Sequence, residues 1–334
     1  MRQIRRMLLQ ALGAVCVIAG HAWPQVANAQ AARKVHRIGV LGPDISDAAG
    51  PIWDAFVDEL AQRGYREGLN VVFERRFGRD DRPDLLAQAA AELVELKVDV
   101  IFAARGTASA LAARKATAEI PVVFYSSADP VGLGVVDSLA RPGGNLTGNA
   151  VLSFDLARKG LEMLTEITPQ LREFAFFRPL GTATLPWMLR VASGLAEAAI
   201  QLRLKAHFVD VESVVDLQSI IERLQRQGVR AALLFDFPLF RPHMDRIAGM
   251  FIHNGMSSYG YASAGFLIQY AEPRVQLARS AAAYVDRILR GTRPADLPVE
   301  QVSTFDLVIN LKTAKALGLH IPQGVLVRAT EIIE

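Results

Sequence analysis

The sequence predicts an α/β protein made of two doubly wound parallel-sheet lobes joined by a hinge. Apolar runs of strand length alternate along the chain with segments of helical periodicity. This order is typical of parallel sheets that are covered by helices on both faces. The alternation runs over residues 36–127 and restarts after residue 150. We therefore predict two lobes of similar construction.

The first half contains four predicted strands, which are mostly apolar runs of strand length. They are HRIGVLG (36–42), NVVFERRF (70–77), VDVIFAA (98–104) and IPVVFYSS (120–127). The segments between them place apolar residues three and four positions apart, as on one face of a helix. The predicted helices cover residues 52–64, a segment that begins at Pro83, and residues 107–117.

The pattern restarts in the second half, after residue 150. It has predicted helices at 154–165, 186–202 and 217–226, and predicted strands at 172–178, 204–211 and 229–237. We assign residues 30–150 with part of 270–300 to an N-terminal lobe. Residues 151–269 with part of 301–334 are assigned to a C-terminal lobe.

The first 29 residues have the pattern of a secretory signal peptide. Three arginines precede a mostly apolar stretch at 7–20, and Ala27-Asn28-Ala29 offers a small-residue cleavage site. The apolar stretch is short for a membrane span, although a permanent membrane anchor is the alternative interpretation. We therefore expect cleavage after Ala29 and a periplasmic protein.

Charge and cysteine content exclude several classes of protein. The chain has 37 basic and 34 acidic residues, and the predicted signal peptide carries three of the basic ones. The remainder is formally neutral, so it lacks the basic footprint of a nucleic-acid-binding protein. The single cysteine, Cys16, lies in the predicted signal peptide. We expect neither disulfides nor thiolate metal sites.

Motifs for catalysis or cofactor binding are missing from the sequence. It has no G-x-S-x-G elbow, no Walker P-loop and no complete dinucleotide fingerprint. Its six histidines show no metal-ligand spacing. We predict a protein that is not an enzyme, with no catalytic residue, no metal and no cofactor.

Candidate binding residues follow the carboxyl ends of the predicted strands, where open α/β sheets bind ligands. Hydroxyls beside free helix amides suit a carboxylate, an aspartate suits an ammonium group, and aromatic rings suit an apolar body. Each residue also has a structural interpretation: Thr107 as an N-cap, Asp129 as part of a turn, Trp53 as core. The candidates are Trp53, Gly106, Thr107, Ser109, Ser126, Ser127, Asp129, Asp236, Phe237, Tyr259 and Tyr261.

A flexible break separates the two predicted halves. Pro142-Gly143-Gly144 within SLARPGGNLTG cannot continue a helix. Its position short of residue 150 favours a role in the hinge, which would absorb backbone rotation. A plain surface turn is the alternative.

Several segments together resemble the ABC-transporter substrate-binding protein family whose better-known members bind tryptophan or tyrosine. They include AFVDELAQRGYREGLNV, RGTASALAARKAT, ADPVGLG, PGGNLTG and FDLVINLKTAKALGL. The resemblance implies a type I periplasmic-binding-protein fold with the ligand in a cleft. It places the family's helix-start Gly-Thr at Gly106-Thr107 and its Asp-Pro-Val at residues 129–131. Residues 268–271 depart from the family's Leu-x-Ser-Tyr-Gly run.

These observations predict the periplasmic solute-binding component of an ABC importer. Its ligand would be an amino acid or an aromatic or organic acid, delivered to a membrane permease and its ATPase. We expect a monomer with no nucleic-acid partner. A solute sensor that reports to a membrane receptor and a secreted enzyme are the other function classes considered.

Overall fold

A computed structural model describes residues 34–79, 82–151 and 153–334. The predicted signal peptide lies outside these residues. The strands are β1 His36–Gly42, β2 Val71–Phe77, β3 Val100–Ala103, β4 Val122–Ala128, β5 Leu146–Val151, β6 Glu173–Pro179, β7 Lys205–Val211, β8 Ala231–Leu234, β9 Ser257–Tyr259, β10 Ile268–Ala271, β11 Glu300–Gln301, β12 Asp306–Asn310 and β13 Glu331–Ile333. The α-helices are α1 Gly50–Gln62, α2 Pro83–Glu95, α3 Gly106–Ala116, α4 Ser153–Ile167, α5 Pro186–Leu202, α6 Leu217–Arg226, α7 Met244–His253, α8 Arg274–Leu289, α9 Leu311–Ala316 and α10 Gln323–Leu326.

The strands form two sheets, each the centre of one lobe. The first sheet has the order β11-β5-β4-β3-β1-β2, and all its pairings are parallel. The second has the order β13-β12-β10-β9-β8-β6-β7, and only the β10–β12 pairing is antiparallel. The predicted class, α/β with two doubly wound parallel-sheet lobes, is therefore confirmed.

Side-chain alternation explains how helices cover both faces of the first sheet. Successive residues of a strand point to opposite faces. Val100 and Phe102 of β3 pack in one apolar cluster with α1 and α8, whereas Ile101 and Ala103 pack in another with α2 and α3. Phe102 stacks on Phe56 of α1 with ring centroids 4.0 Å apart. Both faces of the sheet are thus buried under helices, which explains why the sequences of these strands are continuous apolar runs.

The chain passes between the sheets at three places. It leaves the first sheet after Val151 at the end of β5, returns between β10 and α8, and leaves again between β11 and β12. The helix α8, although late in the sequence, packs against α1 and against β4 and β5. Its apolar face (Leu277, Ala281, Val285, Ile288) is buried.

The structure corrects the predicted position of the hinge. Pro142, Gly143 and Gly144 lie in the connection between β4 and β5, which are neighbours in the same sheet. Gly143 has a φ of +86°, which is a conformation suited to a turn. A break in helical sequence marks a loop, but it does not reveal whether the strand that follows belongs to the same sheet. The segment is the surface turn that was the alternative interpretation.

Candidate functional site

A cavity of about 210 Å³ is lined by residues of both lobes. The first lobe contributes the beginning of α3 and the end of β4, and the second contributes the segments that follow β8, β9 and β10. Strand ends of both sheets therefore meet at one cavity, as expected for α/β folds. The lining residues are Ile52, Arg105, Gly106, Thr107, Ala108, Tyr125, Ser126, Ala128, Leu156, Trp187, Leu234, Phe235, Asp236, Phe237, Tyr259, Gly260, Tyr261, Gln269, Tyr270, Ala271, Glu272 and Arg274.

Aromatic rings form much of the wall on the second lobe. The Phe235 ring lies 6.3 Å from that of Phe237 and 6.0 Å from that of Tyr259, measured between centroids. Trp187 of α5 lies 6.1 Å from Phe237 in the same way. A Cβ at Gly160 of α4 would come within 2.3 Å of the Tyr259 ring, so only glycine lets this ring pack there. Such a wall suits a flat apolar body.

A buried carboxylate and three arginines form the charged part of the site. The Asp236 side chain is only 6% exposed. Its Oδ2 accepts hydrogen bonds from Arg105 Nη1 at 2.6 Å and from Arg274 Nη1 at 3.1 Å, and its Oδ1 accepts from Arg241 Nε at 2.8 Å. Tyr261 OH donates to Oδ2 at 2.9 Å. Both oxygens of Asp236 are therefore engaged.

The surroundings of Asp236 keep it ionised. Burial by itself would raise the pKa of this carboxyl, but the charges of Arg105, Arg274 and Arg241 lower it well below its usual range. Burial and the nearby Asp236 charge raise the pKa of Tyr261 to about 12, despite the opposing effect of Arg274. Tyr261 is therefore a neutral hydroxyl donor at neutral pH.

The backbone is strained where the first lobe reaches the cavity. Arg105 has a φ of +59° and Ser126 a φ of +56°, which is left-handed for residues that carry a Cβ. The pairing of β4 with β5 shifts register between Phe124 and Ser127, so Ser126 lies at the irregularity. Such outliers cost about 1–3 kcal/mol each and concentrate at ligand sites.

Thr107 fixes the beginning of α3 to the end of β4. Its Oγ1 donates to Ala128 O at 3.1 Å and accepts from Ala128 N at 2.9 Å. The N-cap position is occupied by Arg105, so Thr107 is not the N-cap. The hydroxyl has a structural task, and the beginning of α3 is held beside the cavity.

Ion pairs join the lobes around the cavity, and the lobe that supplies the arginine differs from one pair to another. Arg105 of the first lobe meets Asp236 of the second, whereas Arg190 of α5 pairs with Asp129 after β4. Arg241 also approaches Asp44, with Nη1 and Oδ1 3.7 Å apart. Each lobe therefore supplies both charges, and the pairs hold the lobes together in this conformation.

Seven of the eleven predicted binding residues line the cavity. They are Gly106, Thr107, Ser126, Asp236, Phe237, Tyr259 and Tyr261. Their position follows from the rule that parallel strands bring their carboxyl ends to one edge of the sheet. Whether they bind a ligand stays a prediction.

The other four lie outside the lining. Trp53 belongs to the core of the first lobe, where its ring is 5.0 Å from that of Phe73. Ser109 is fully buried within α3, and Ser127 is fully buried with its Oγ 3.4 Å from Thr107 Oγ1. Asp129 forms the ion pair with Arg190 and accepts from Gly132 N at 3.0 Å, as in a turn. The structure thus places these four residues outside the cavity lining, in the packing and turn contacts described.

Sequence reasoning missed the residues that the lobe crossing brings to the cavity. Glu272 and Arg274 follow β10, at the point where the chain returns to the first lobe. Nothing in the local sequence marks this point. Arg105 directly follows the predicted strand at 98–104, so the strand-end rule could have selected it together with Gly106. Trp187 lies at the beginning of α5, and the strand-end rule does not select it.

Comparison with known proteins identifies the class. The described residues contain no group of side chains arranged to hold a metal ion and no helix with the length and hydropathy of a membrane span. A concave cavity lined by aromatic rings and a few charged groups is typical of small-molecule binding sites. The chain belongs to the ABC transporter substrate binding protein family, whose model matches residues 37–333.

Relatives agree with this assignment. A tyrosine-binding protein of Clostridioides difficile is 28% identical over 273 residues, which cover 79% of this chain and 76% of the relative. A solved structure of a conserved domain protein from Vibrio cholerae has a TM-score of 0.78 and 26% identity, covering 90% of this chain and 100% of its own. A Streptococcus protein domain in complex with L-Trp shares the fold, with a TM-score of 0.74, 23% identity and the same coverage.

Proposed function

We propose that the protein is the periplasmic solute-binding component of an ABC importer. It would hold a small organic solute with an aromatic or aliphatic body in the cavity between the lobes and deliver it to a membrane permease and its ATPase. The cavity carries this proposal, because both lobes line it and it combines aromatic rings with charged groups.

The chemistry of the wall favours an amino acid or an aromatic or organic acid. The rings of Trp187, Phe235 and Phe237 would pack on the body of the solute, where apolar burial contributes about 25 cal/mol per Å². Arg105 and the backbone at the beginning of α3 make one part of the wall positive, which suits a carboxylate. The tyrosine-binding relative and the fold shared with a tryptophan-bound domain support this choice.

Binding at such a site would be linked to closure of the lobes. Only a conformation in which both lobes reach the cavity makes all contacts with the solute. A solute that binds this conformation better than an open one therefore shifts the population toward it. The ion pairs Arg105–Asp236 and Arg190–Asp129 would reform at each closure.

Ligand-dependent thermal unfolding tests the proposal. A panel of amino acids, aromatic acids and sugars is added to the purified protein at several concentrations. A ligand at one hundred times its Kd adds about 2.7 kcal/mol, which raises the Tm by about 5 °C in a protein of this size. The proposal fails if no amino acid and no aromatic or organic acid raises the Tm. Isothermal titration then gives the affinity of the best member.

Trp53→Phe checks that Trp53 acts in the core. We expect a loss of about 1–2 kcal/mol in the free energy of unfolding, because the smaller ring leaves part of the space beside Phe73 and Phe56 empty. Affinity for the best panel member should stay within twofold of wild type. Denaturant unfolding and titration measure the two quantities, and a tenfold loss of affinity would contradict the assignment.

A further inference from the structure

Two acidic side chains line the cavity, and they differ in their surroundings. Asp236 and Glu272 are the acids among the lining residues of the described chain. The sequence pointed to Asp236 or Asp129 as the acceptor of an ammonium group from the solute. Asp129 lies outside the lining and is paired with Arg190, which leaves the two lining acids to be compared.

Asp236 has no capacity left for a solute. A carboxylate offers about four acceptor positions, and Asp236 already accepts from three arginines and from Tyr261 OH. Three positive guanidiniums around it would also repel an ammonium group. Asp236 therefore organises the arginines and does not bind a cation.

Glu272 retains an oxygen for a solute. Its Oε1 accepts from Ser126 Oγ at 2.9 Å and lies 3.7 Å from Arg274 Nε. Among the described residues, its Oε2 accepts no hydrogen bond. The side chain is only 10% exposed. Its cationic neighbour Arg274 approaches Oε1 and also donates to Asp236, so a second cation at Oε2 would offset more of the cost of burying this carboxylate.

The neighbours of Glu272 are also compatible with a cation. Tyr125, Tyr259 and Tyr270 line the same cavity. Burial raises the pKa values of Tyr125 and Tyr259, and the charge of Glu272 raises them further. Tyr125 and Tyr259 are therefore neutral and lie within electrostatic reach of Glu272. The faces of aromatic rings attract an ammonium group.

We propose that Glu272 binds the protonated amine of the solute through Oε2, so that the cavity selects amine-bearing aromatic solutes over their deaminated analogues. The inference rests on the proposed function, because it assigns a residue of the same cavity. It makes Glu272 a specificity-determining residue. Glu272 lies beside residues 268–271, the segment that departs from the family's usual sequence.

Two matched series of probes test the inference on the wild-type protein. The first is L-tyrosine, 3-(4-hydroxyphenyl)propionate, which lacks the amine, and tyramine, which lacks the carboxylate. The second is L-tryptophan, indole-3-propionate and tryptamine. Titration calorimetry gives each Kd. In at least one series we expect an amine-bearing member to bind at least tenfold more tightly than the deaminated acid.

The variant Glu272→Gln assigns this preference to the residue. Glutamine keeps the shape and an oxygen for Ser126 Oγ but removes the charge. We expect the amine-bearing probe to lose at least tenfold in affinity, while the deaminated acid stays within twofold. Glu95→Gln, on the exposed end of α2, is the matched control and should change neither. Thermal unfolding of each variant shows whether it remains folded, and the wild-type series does not depend on the variant.

The outcomes separate this inference from the proposed function. If in both series the deaminated acid binds as tightly as the amine-bearing members, the inference is wrong and the proposed function stands. If the preference for the amine persists in folded Glu272→Gln, the assignment to Glu272 is wrong. If no member of either series binds, the inference is wrong, and the wider panel then decides the proposed function.

Discussion

Replacing Asp236 with asparagine is expected to lower the free energy of unfolding by about 3–5 kcal/mol at pH 7. The change leaves Arg105, Arg241 and Arg274 clustered around a neutral side chain that is almost fully buried. Three guanidiniums that lose the carboxylate they share repel one another in a mostly buried place, where charge is costly. Urea unfolding monitored by circular dichroism measures the difference, and the affinity for the best solute should also fall.

Asp129→Asn is the matched control for this experiment. It also removes the charge of an aspartate in an ion pair between the lobes, but its partner Arg190 is 54% exposed. Exposed pairs contribute about 0–1 kcal/mol, so this variant should remain within 1 kcal/mol of wild type. Equal losses in the two variants would show that the arginines around Asp236 do not depend on its charge.

The effect of Asp236→Asn should also depend on pH in a defined direction. The folded-state pKa of Asp236 lies below its unfolded value. Its charge therefore stabilises the fold fully above about pH 4 and contributes less as the pH falls toward the folded pKa. The difference between wild type and variant should be constant from pH 7 to pH 5 and become smaller at pH 3. A difference that grows on acidification would contradict this account.

Gly148→Ala is expected to lower the free energy of unfolding by at least about 3 kcal/mol. Gly148 of β5 has a φ of +150°, and an added Cβ would lie 2.0 Å from the carbonyl oxygen of Phe124. Phe124 is the partner of Gly148 in the neighbouring strand β4. The backbone atoms cannot move apart without breaking hydrogen bonds between β4 and β5 of the first sheet. The steric clash therefore cannot be relaxed at low cost in free energy.

Gly144→Ala serves as its control, four residues earlier. An added Cβ there meets nothing within 4 Å, and we expect a change within about 0.5 kcal/mol. Thermal and denaturant unfolding of both variants give the comparison. The same control tests the corrected position of the hinge, because an unchanged solute affinity is expected for a residue in a loop within one lobe.

The strands and helices could be predicted because each of them leaves a pattern in its own short stretch of sequence. The apolar run at 36–42 coincides with β1, and the predicted helix at 217–226 coincides with α6. Parallel strands that are buried on both faces give continuous apolar runs, and the periodicity of the helices between them fixes the order. The path of the chain between the sheets is not local. The break at 142–144 was therefore mistaken for the crossing, which comes after Val151.

The site could be predicted only where strand ends determine it. Asp236 and Tyr261 were found because they follow strands of the second sheet. Trp53 was assigned to the site because it is aromatic and near a strand end, but the face of α1 on which it lies packs against the sheet. Glu272 and Arg274 were missed because their place depends on the chain returning from the second lobe to the first.

The late return of α8 and β11 to the first sheet has a consequence for dividing this protein. A fragment that stops at residue 151 would contain five of the six strands of the first sheet, yet the apolar face opposite Leu277, Ala281 and Val285 would be bare. The complementary fragment would carry that helix with nothing to cover it. Neither fragment would therefore fold stably by itself. To express one lobe alone, the gene would have to be rearranged so that the late segments of that lobe are joined directly to its early ones.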